Sequence, residues 1–381
     1  MNSTQAEPGI TPDKRSQPDP WRPNAHATPS SVLMSPFAAA LQRRNPQRPP
    51  VWFMRQAGRY HRHYQELRRI HSFVNLCKRP ELACETALGP IQEFGFDAAI
   101  LFSDLLFPLE SLGMPLDYNP GPSLAWHLRE PADLARLSTR PDLAQTLEFQ
   151  ATALRLLRQA LPASKGVLGF VGGPLTLFVY AVEGSHVGNL SSTVAGLSDG
   201  RYEGFLDLLI PLLARNMADQ YRAGASTIAV LDTSAGSLPP GTFQTHVVPV
   251  LDRLFRTFHE FCPGAPITYY SKQTGPQHWN VLRGLPIACL GVDWNHPIDQ
   301  VLRDFSDRWA IQGNIDPHWL LQPPDTFENQ LRLVFETVRK LPPNCRRGWV
   351  CGLGHGVLPG TPESNVHRFL QLQHEFFGET P

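Results

Sequence analysis

The stretch MRQAGRYHRHY, residues 54–64, sets Arg55 and Arg59 ahead of His61, Arg62 and His63, with no acid before Glu66. The chain as a whole balances 34 Lys and Arg against 34 Asp and Glu, so this local run of donors is not part of a generally basic surface. A neutral chain argues against nucleic acid or a membrane surface as partner, because phosphate contacts normally show as a basic excess. Other polar residues follow short apolar runs. They are Asp104 in LFSDLL, Thr176 and Tyr180 in GGPLTLFVY, and Asp232 and Thr233 in LDTSAG. Lys272 in YYSKQTG, Asp293 in GVDWN, Asn314 and Asp316 in QGNIDP, and His355 in GLGHG continue the series. Each alone has an ordinary reading. Asp104, Asp232 and Asp293 could cap the next helix, Arg55 could pair with an acid, and Tyr180 could be a core tyrosine with a satisfied hydroxyl. His355 could merely tolerate an unusual backbone angle among glycines, while Gly352, Gly354 and Gly356 would let another group approach the backbone closely. Together they place a polar group at nearly every strand exit.

The elements needed to position them alternate along the chain. Apolar runs at 51–54, 98–102, 166–172, 227–232, 266–271, 287–293, 309–314 and 347–354 read as buried strands. Helix-period segments separate them, for example 80–95, 202–224 and 239–261, several opened by proline as expected in a first helical turn. Eight strands each followed by helical sequence predict an α/β fold, a single (β/α)8 TIM-type barrel with extra N-terminal helices. A doubly wound sheet is disfavoured, since no glycine-rich dinucleotide fingerprint follows an early strand. In barrels of this kind chemistry sits at the C-terminal ends of the strands, where the polar exits fall. Residues 1–30, crowded with proline and polar side chains, predict a disordered tail, leaving 31–381 as the catalytic domain.

Six scattered cysteines without a C-x-x-C pair read as reduced thiols of an intracellular protein. With no apolar span and no signal-peptide core, the expectation is a soluble cytoplasmic chain. No converging His, Cys or carboxylate set suggests a metal. A P-loop, a G-x-S-x-G elbow and a Cys–His nucleophile pair are likewise missing.

With these residues in hand, the chain resembles the uroporphyrinogen decarboxylase family. The most diagnostic stretch is PVWFMRQAGRY (50–60). DAAILFSDLLFPLESLGM (97–114), GFVGGPLTLFVYAVEG (169–184), QGNIDP (312–317) and GLGHGVLPGTPESNV (352–366) resemble further family motifs in the same order, from about Pro36 to Phe377. The resemblance implies a single (β/α)8 barrel, a homodimer, no metal and no organic cofactor. It implies loss of the four acetate carboxyls of uroporphyrinogen III as CO2, giving coproporphyrinogen III. The substrate's own pyrrole then serves as electron sink, which removes the need for a cofactor.

The resemblance also assigns roles. Arg55, Arg59 and Arg68 would hold the acid arms, with Gln56, Ala57 and Gly58 of the same motif lining the substrate. Asp104 would face the pyrrole N–H groups and stabilise a cationic ring. Tyr180, Thr233 and His355 would lie close to the substrate. His355 has the most convenient pKa for moving a proton, and the proton donor stays open between Arg55 and a bound water. Departures from the family pattern are His61, Arg62 and His63 in place of Leu-Pro-Glu, Leu175 for Trp, Gly352 for Asn and Thr233 for Ser. The three basic residues are expected to favour a polyanion, and loss of the Asn to loosen the site. Two rival readings are a non-catalytic tetrapyrrole-binding paralogue and a zinc-dependent corrinoid methyltransferase of the same superfamily. The latter would need a His-x-Cys pair that neither His259 nor His296 provides.

Overall fold

The computed structural model describes residues 34–45, 48–119, 121–185, 188 and 190–378. The tail expected over 1–30 lies outside them. Four helices, Pro36–Leu41, Arg62–Ile70, Phe73–Lys78 and Pro80–Phe94, precede the sheet. The last starts with proline, whose missing N–H costs nothing there, and stops at Gly95 with φ 78°. Nine strands follow: β1 (Ala98–Ile100), β2 (Leu116–Asp117), β3 (Ser123–Leu124), β4 (Gly166–Gly172), β5 (Thr227–Leu231), β6 (Ile267–Tyr270), β7 (Cys289–Gly291), β8 (Ala310–Ile315) and β9 (Trp349–Leu353). β2 and β3 form a small antiparallel pair. The other seven form one parallel sheet in the order β1-β4-β5-β6-β7-β8-β9. Every residue of β4, β5, β6, β8 and β9 is buried, as in a parallel sheet covered on both faces.

Seven of the eight expected runs are strands. The first, 51–54, is a correction: only Val51 pairs, in a parallel bridge to Cys351. This segment nevertheless bonds to both edges of the sheet. Cys351 N–H donates to Pro50 O at 2.9 Å, and Asp97 N–H, just before β1, donates to Val51 O at 2.8 Å. The sheet of the described residues is therefore curled and seven-stranded. After Phe53 the chain leaves extended geometry because Gln56 pulls it into a turn. Gln56 N–H donates to Phe53 O at 3.1 Å, and Phe53 N–H donates back to Gln56 Oε1 at 3.2 Å.

The register aligns the strand ends. Gly172 of β4 pairs with Leu231 of β5, and Ile315 of β8 with Leu353 of β9. The residues that follow these pairs consequently emerge on one side. All six cysteines are free, and five are buried, as small hydrophobes. Among the described residues no helix is long and apolar enough to cross a membrane.

Candidate functional site

The loop carrying Arg55 and Arg59 is pinned from beneath. Buried Gln56 donates through Nε2 to Ala98 O at 3.1 Å, tying the loop to the start of β1, and its carbonyl accepts the Tyr60 hydroxyl at 2.8 Å. The Gln56 side chain is thus turned into the protein, whereas Ala57 and Gly58 are half-buried at the loop surface. Arg55 takes the left-handed conformation, φ 60°, uncommon for a side chain of this kind. A Cβ on Gly58 would stand 2.9 Å from Arg55 O, so glycine is what allows the turn to close. Both guanidiniums are exposed, and the salt bridges among the described residues include none to Arg55, Arg59 or Arg68. Arg68 is exposed too; it donates to His71 O at 2.5 Å at the end of its own helix, beside Tyr64.

Asp104 lies just beyond β1. It is enclosed by protein yet keeps accessible surface, as a residue on the floor of a recess does. One oxygen, Oδ1, accepts the Leu106 N–H at 2.9 Å in a local turn. Burial raises its pKa, against the opposing pull of that N–H, of the Tyr118 hydroxyl and of Arg55. The Tyr118 hydroxyl is buried close to the carboxylate but outside hydrogen-bond geometry. Tyr180, half-buried on the helix Pro174–Glu183, has its pKa raised by burial and by Asp104 and lowered by Arg55. Asp104, Arg55 and Tyr180 are therefore near enough to act on one another electrostatically.

His355 follows β9 and is reached from β6. The Tyr270 hydroxyl donates to Gly354 O at 2.8 Å and lies 3.1 Å from His355 Nδ1, with the two rings stacked at 15°. The Tyr270 hydroxyl also feels Arg55. Thr233 is half-buried in the turn after β5, beside Asp232. Arg55 thus links the Asp104–Tyr180 side of the recess to the Tyr270–His355 side.

Several polar strand exits do other work. Asp293 accepts from Gln273 N–H at 2.6 Å and Asn295 N–H at 3.1 Å, holding two loops. Asn314 donates to the carbonyls of Asp293 and His296, and Asp316 caps the turn at His318. Lys272 lies over the Trp294 ring at 5.6 Å. The expectation that His61, Arg62 and His63 enrich the cleft in positive charge fails for the two histidines. His61 is 1% exposed, and its pKa is lowered, chiefly by burial. His63 packs on Gly89, where a Cβ would meet its ring at 2.3 Å, and its Nε2 lies 3.2 Å from Glu85 O. Leu175 is a core residue. Gly352 allows two segments to approach closely: a Cβ there would stand 2.4 Å from Trp52 O.

Tyr118 and Tyr270 were not singled out from the sequence. Tyr270 could have been, since it ends a strand immediately before the polar exit Ser271-Lys272; nothing local marks Tyr118. Among the described residues no three His, Cys, Asp or Glu side chains are grouped to hold a metal ion.

Comparison with known proteins places this arrangement. Residues 33–376 match the family described as uroporphyrinogen decarboxylase. A uroporphyrinogen decarboxylase from Roseiflexus sp. is 33% identical over 352 residues, 91% of this chain and 99% of the relative. One from Geobacter sp. is 35% identical over 331 residues, 85% of this chain and 94% of the relative. Among solved structures, a methyltransferase from Methanosarcina mazei superposes with a TM-score of 0.71 at 18% identity, covering 90% of this chain and 99% of that one. At that identity the likeness shows the fold alone.

Proposed function

The chain belongs to the uroporphyrinogen decarboxylase family, and from that premise we propose how its residues carry out the decarboxylation of a tetrapyrrole substrate. The reaction read for it removes the four acetate carboxyls of uroporphyrinogen III and yields coproporphyrinogen III. A carboxylate leaves as CO2 only if its bonding electrons have a destination. Protonation of the pyrrole carbon beside the one bearing the acetate makes the ring an iminium-type cation. The bond to the carboxyl carbon then breaks, its electron pair neutralises the ring, and CO2 departs. A second proton, added at the exocyclic carbon, makes the methyl group, and departure of the first proton from the ring carbon restores the pyrrole.

Three tasks remain for protein side chains. Arg55 and Arg59 grip the acid arms, each with a planar fork matched to a carboxylate, and Arg68 adds charge nearby. Asp104 accepts the pyrrole N–H groups and stabilises the ring as it becomes positive, the moment at which a fixed charge lowers the barrier. Tyr180, Thr233 and His355 surround the reacting arm, with His355 oriented by Tyr270 as the proton-transfer group. The observation that carries this reading is the electrostatic proximity of Asp104, Arg55 and Tyr180, with the Arg55 side chain resting on Gly356, the residue after His355. The segment 50–53, bonded to both sheet edges, supports closure of the sheet into a (β/α)8 barrel. The family resemblance supports a cytoplasmic homodimer with 31–381 as its catalytic domain.

Anaerobic incubation with uroporphyrinogen III, followed by chromatography, tests the reading. Products with seven, six, five and four carboxyls are expected in succession. Unchanged substrate with intact binding would identify a tetrapyrrole-binding protein instead. Arg59→Ala is expected to raise KM by about tenfold, and unchanged kinetics would make Arg59 structural.

A further inference from the structure

Asp232, at the end of β5, is completely buried, and the salt bridges among the described residues give it no cation. A carboxylate so placed is costly unless its hydrogen bonds achieve something. Its Oδ1 accepts two bonds from one residue of the neighbouring segment, Thr176 N–H and Thr176 Oγ1–H, each at 2.8 Å. The Thr176 hydroxyl accepts in turn from Ser234 N–H at 3.0 Å. The backbones are locked as well: Gly173 N–H donates to Leu231 O at 2.9 Å. A Cβ on Gly173 would lie 2.2 Å from the Asp232 Cβ, so no other residue fits there without displacement.

These bonds join the two segments that present substrate-facing groups. Thr176 lies in the first turn of the helix Pro174–Glu183, whose leading N–H groups have no partner within the helix. Tyr180 is the next residue on the same face of that helix, one turn on. Thr233 is the immediate neighbour of Asp232, and Ser234 closes the same turn. We propose that the Asp232–Thr176–Ser234 clamp is a positioning device for the decarboxylation, fixing Tyr180 and Thr233 relative to each other across the β4–β5 junction. The inference rests on the decarboxylase reading above, since those two residues face substrate only under it.

The second oxygen, Oδ2, has no hydrogen-bond partner, and the Tyr202, Ser234 and Tyr269 hydroxyls are likewise buried without one. The groups that bear on the carboxyl electrostatically are Tyr202 from the helix Arg201–Arg222 and Tyr269 from β6, both neutral phenols. Burial pushes the Asp232 pKa up to about 6. The two Thr176 bonds need only an acceptor oxygen, so an amide oxygen serves the clamp as well as a carboxylate does.

That equivalence supplies the test. Steady-state kinetics with uroporphyrinogen would be measured on the full chain and on Asp232→Ala, Asp232→Asn, Thr176→Val and Thr176→Ser, with melting temperatures alongside. Asp232→Ala and Thr176→Val are expected to lower kcat by about tenfold to a hundredfold with KM changed less than about threefold, because the groups misplaced act on the reacting arm. Asp232→Asn and Thr176→Ser are expected to recover kcat to within about threefold. Should Asp232→Ala fail to fold, Thr176→Val, close in size to threonine, carries the test alone. Folded Thr176→Val with unchanged kcat would overturn the clamp, as would losses in the Asn and Ser variants equal to those in Ala and Val. If the unaltered chain turns over no uroporphyrinogen, the decarboxylase reading falls and the clamp's catalytic role with it. Turnover by the unaltered chain with indifferent variants sinks the clamp alone.

Discussion

The Arg55 side chain lies on Gly356: a Cβ there would stand 2.5 Å from Arg55 Cδ and 2.9 Å from its Cγ. The residue after His355 is therefore the floor beneath the arginine that opens the recess, and Val357 N–H bonds Met54 O at 2.9 Å to hold the two together. Gly356→Ala is expected to displace the guanidinium. Because the contact proposed for Arg55 is with a carboxylate arm, KM should rise by about tenfold, with little change in melting temperature. An unaltered KM in folded protein would show that Arg55 does not bind substrate from this position.

Asp104 should show opposite effects on stability and turnover. Its pKa is raised in the folded chain, chiefly by burial, so the folded state binds its proton more tightly than the unfolded state does. Its favourable contribution is complete at low pH and is lost as pH rises through the folded pKa. Holding it ionised near neutrality thus costs stability. Asp104→Asn is expected to melt at or above the unaltered protein's temperature at about pH 7.5, yet to lose kcat by about a hundredfold or more. For the unaltered enzyme, the acid limb of kcat/KM should lie above the ordinary aspartate range. Near-normal turnover by Asp104→Asn would remove it from the chemistry.

Tyr118 offers a finer test. Its hydroxyl favours the charged form of Asp104. Tyr118→Phe keeps the ring packing on Phe73, at 4.9 Å, and on Phe107, at 6.1 Å. The acid limb of kcat/KM should then move to higher pH while kcat on the alkaline side stays within about twofold. A pH profile superimposable on that of the unaltered enzyme would show the hydroxyl to be a bystander.

How far these features were legible depended on which atoms made them. Apolar runs located seven strands, because burial on both faces leaves a mark in composition. The run at 51–54 carries the same mark but yields a single bridge, since Gln56, three residues after Phe53, turns the backbone away. Asp104, Asp293 and Asp316 look alike in the sequence, each a carboxylate after a strand. They differ only in what they meet: Asp293 and Asp316 are spent on nearby loop and turn N–H groups, while Asp104 also faces Arg55 and Tyr118. The run of cations misled for a related reason. Residue types show charge capacity, but the packing of His61 against Phe94 is a long-range fact. Asp232 and Thr176 were both noticed as polar exits; their bond was not, because it crosses between segments brought together by strand register.

The joint beneath the recess gives the last prediction. Arg48 forks onto Asp97 with two bonds of 2.8 Å, and Asp97 Oδ2 also accepts Val51 N–H at 2.8 Å. Through its backbone Asp97 bonds Val51 O and Gly166 N–H, while Gln373 Nε2 holds Pro49 O at 2.7 Å. One nearly buried carboxylate thus fastens the segment leading to Arg55 onto β1 and β4. Asp97→Ala leaves the Val51 N–H unpaired, but the Arg48 side chain is 30% exposed and can still reach water. The expected loss is accordingly nearer about 2–3 kcal/mol than the larger cost of stranding a fully buried charge. Asp97→Asn, which keeps one acceptor for Val51, should lose roughly half of that. Urea unfolding measures both. Because the loop is carried by this joint, KM should rise in the same order. A loss under about 0.5 kcal/mol in Asp97→Ala would place the fastening of this segment elsewhere, in the Gln56–Ala98 bond or in the bridge to Cys351.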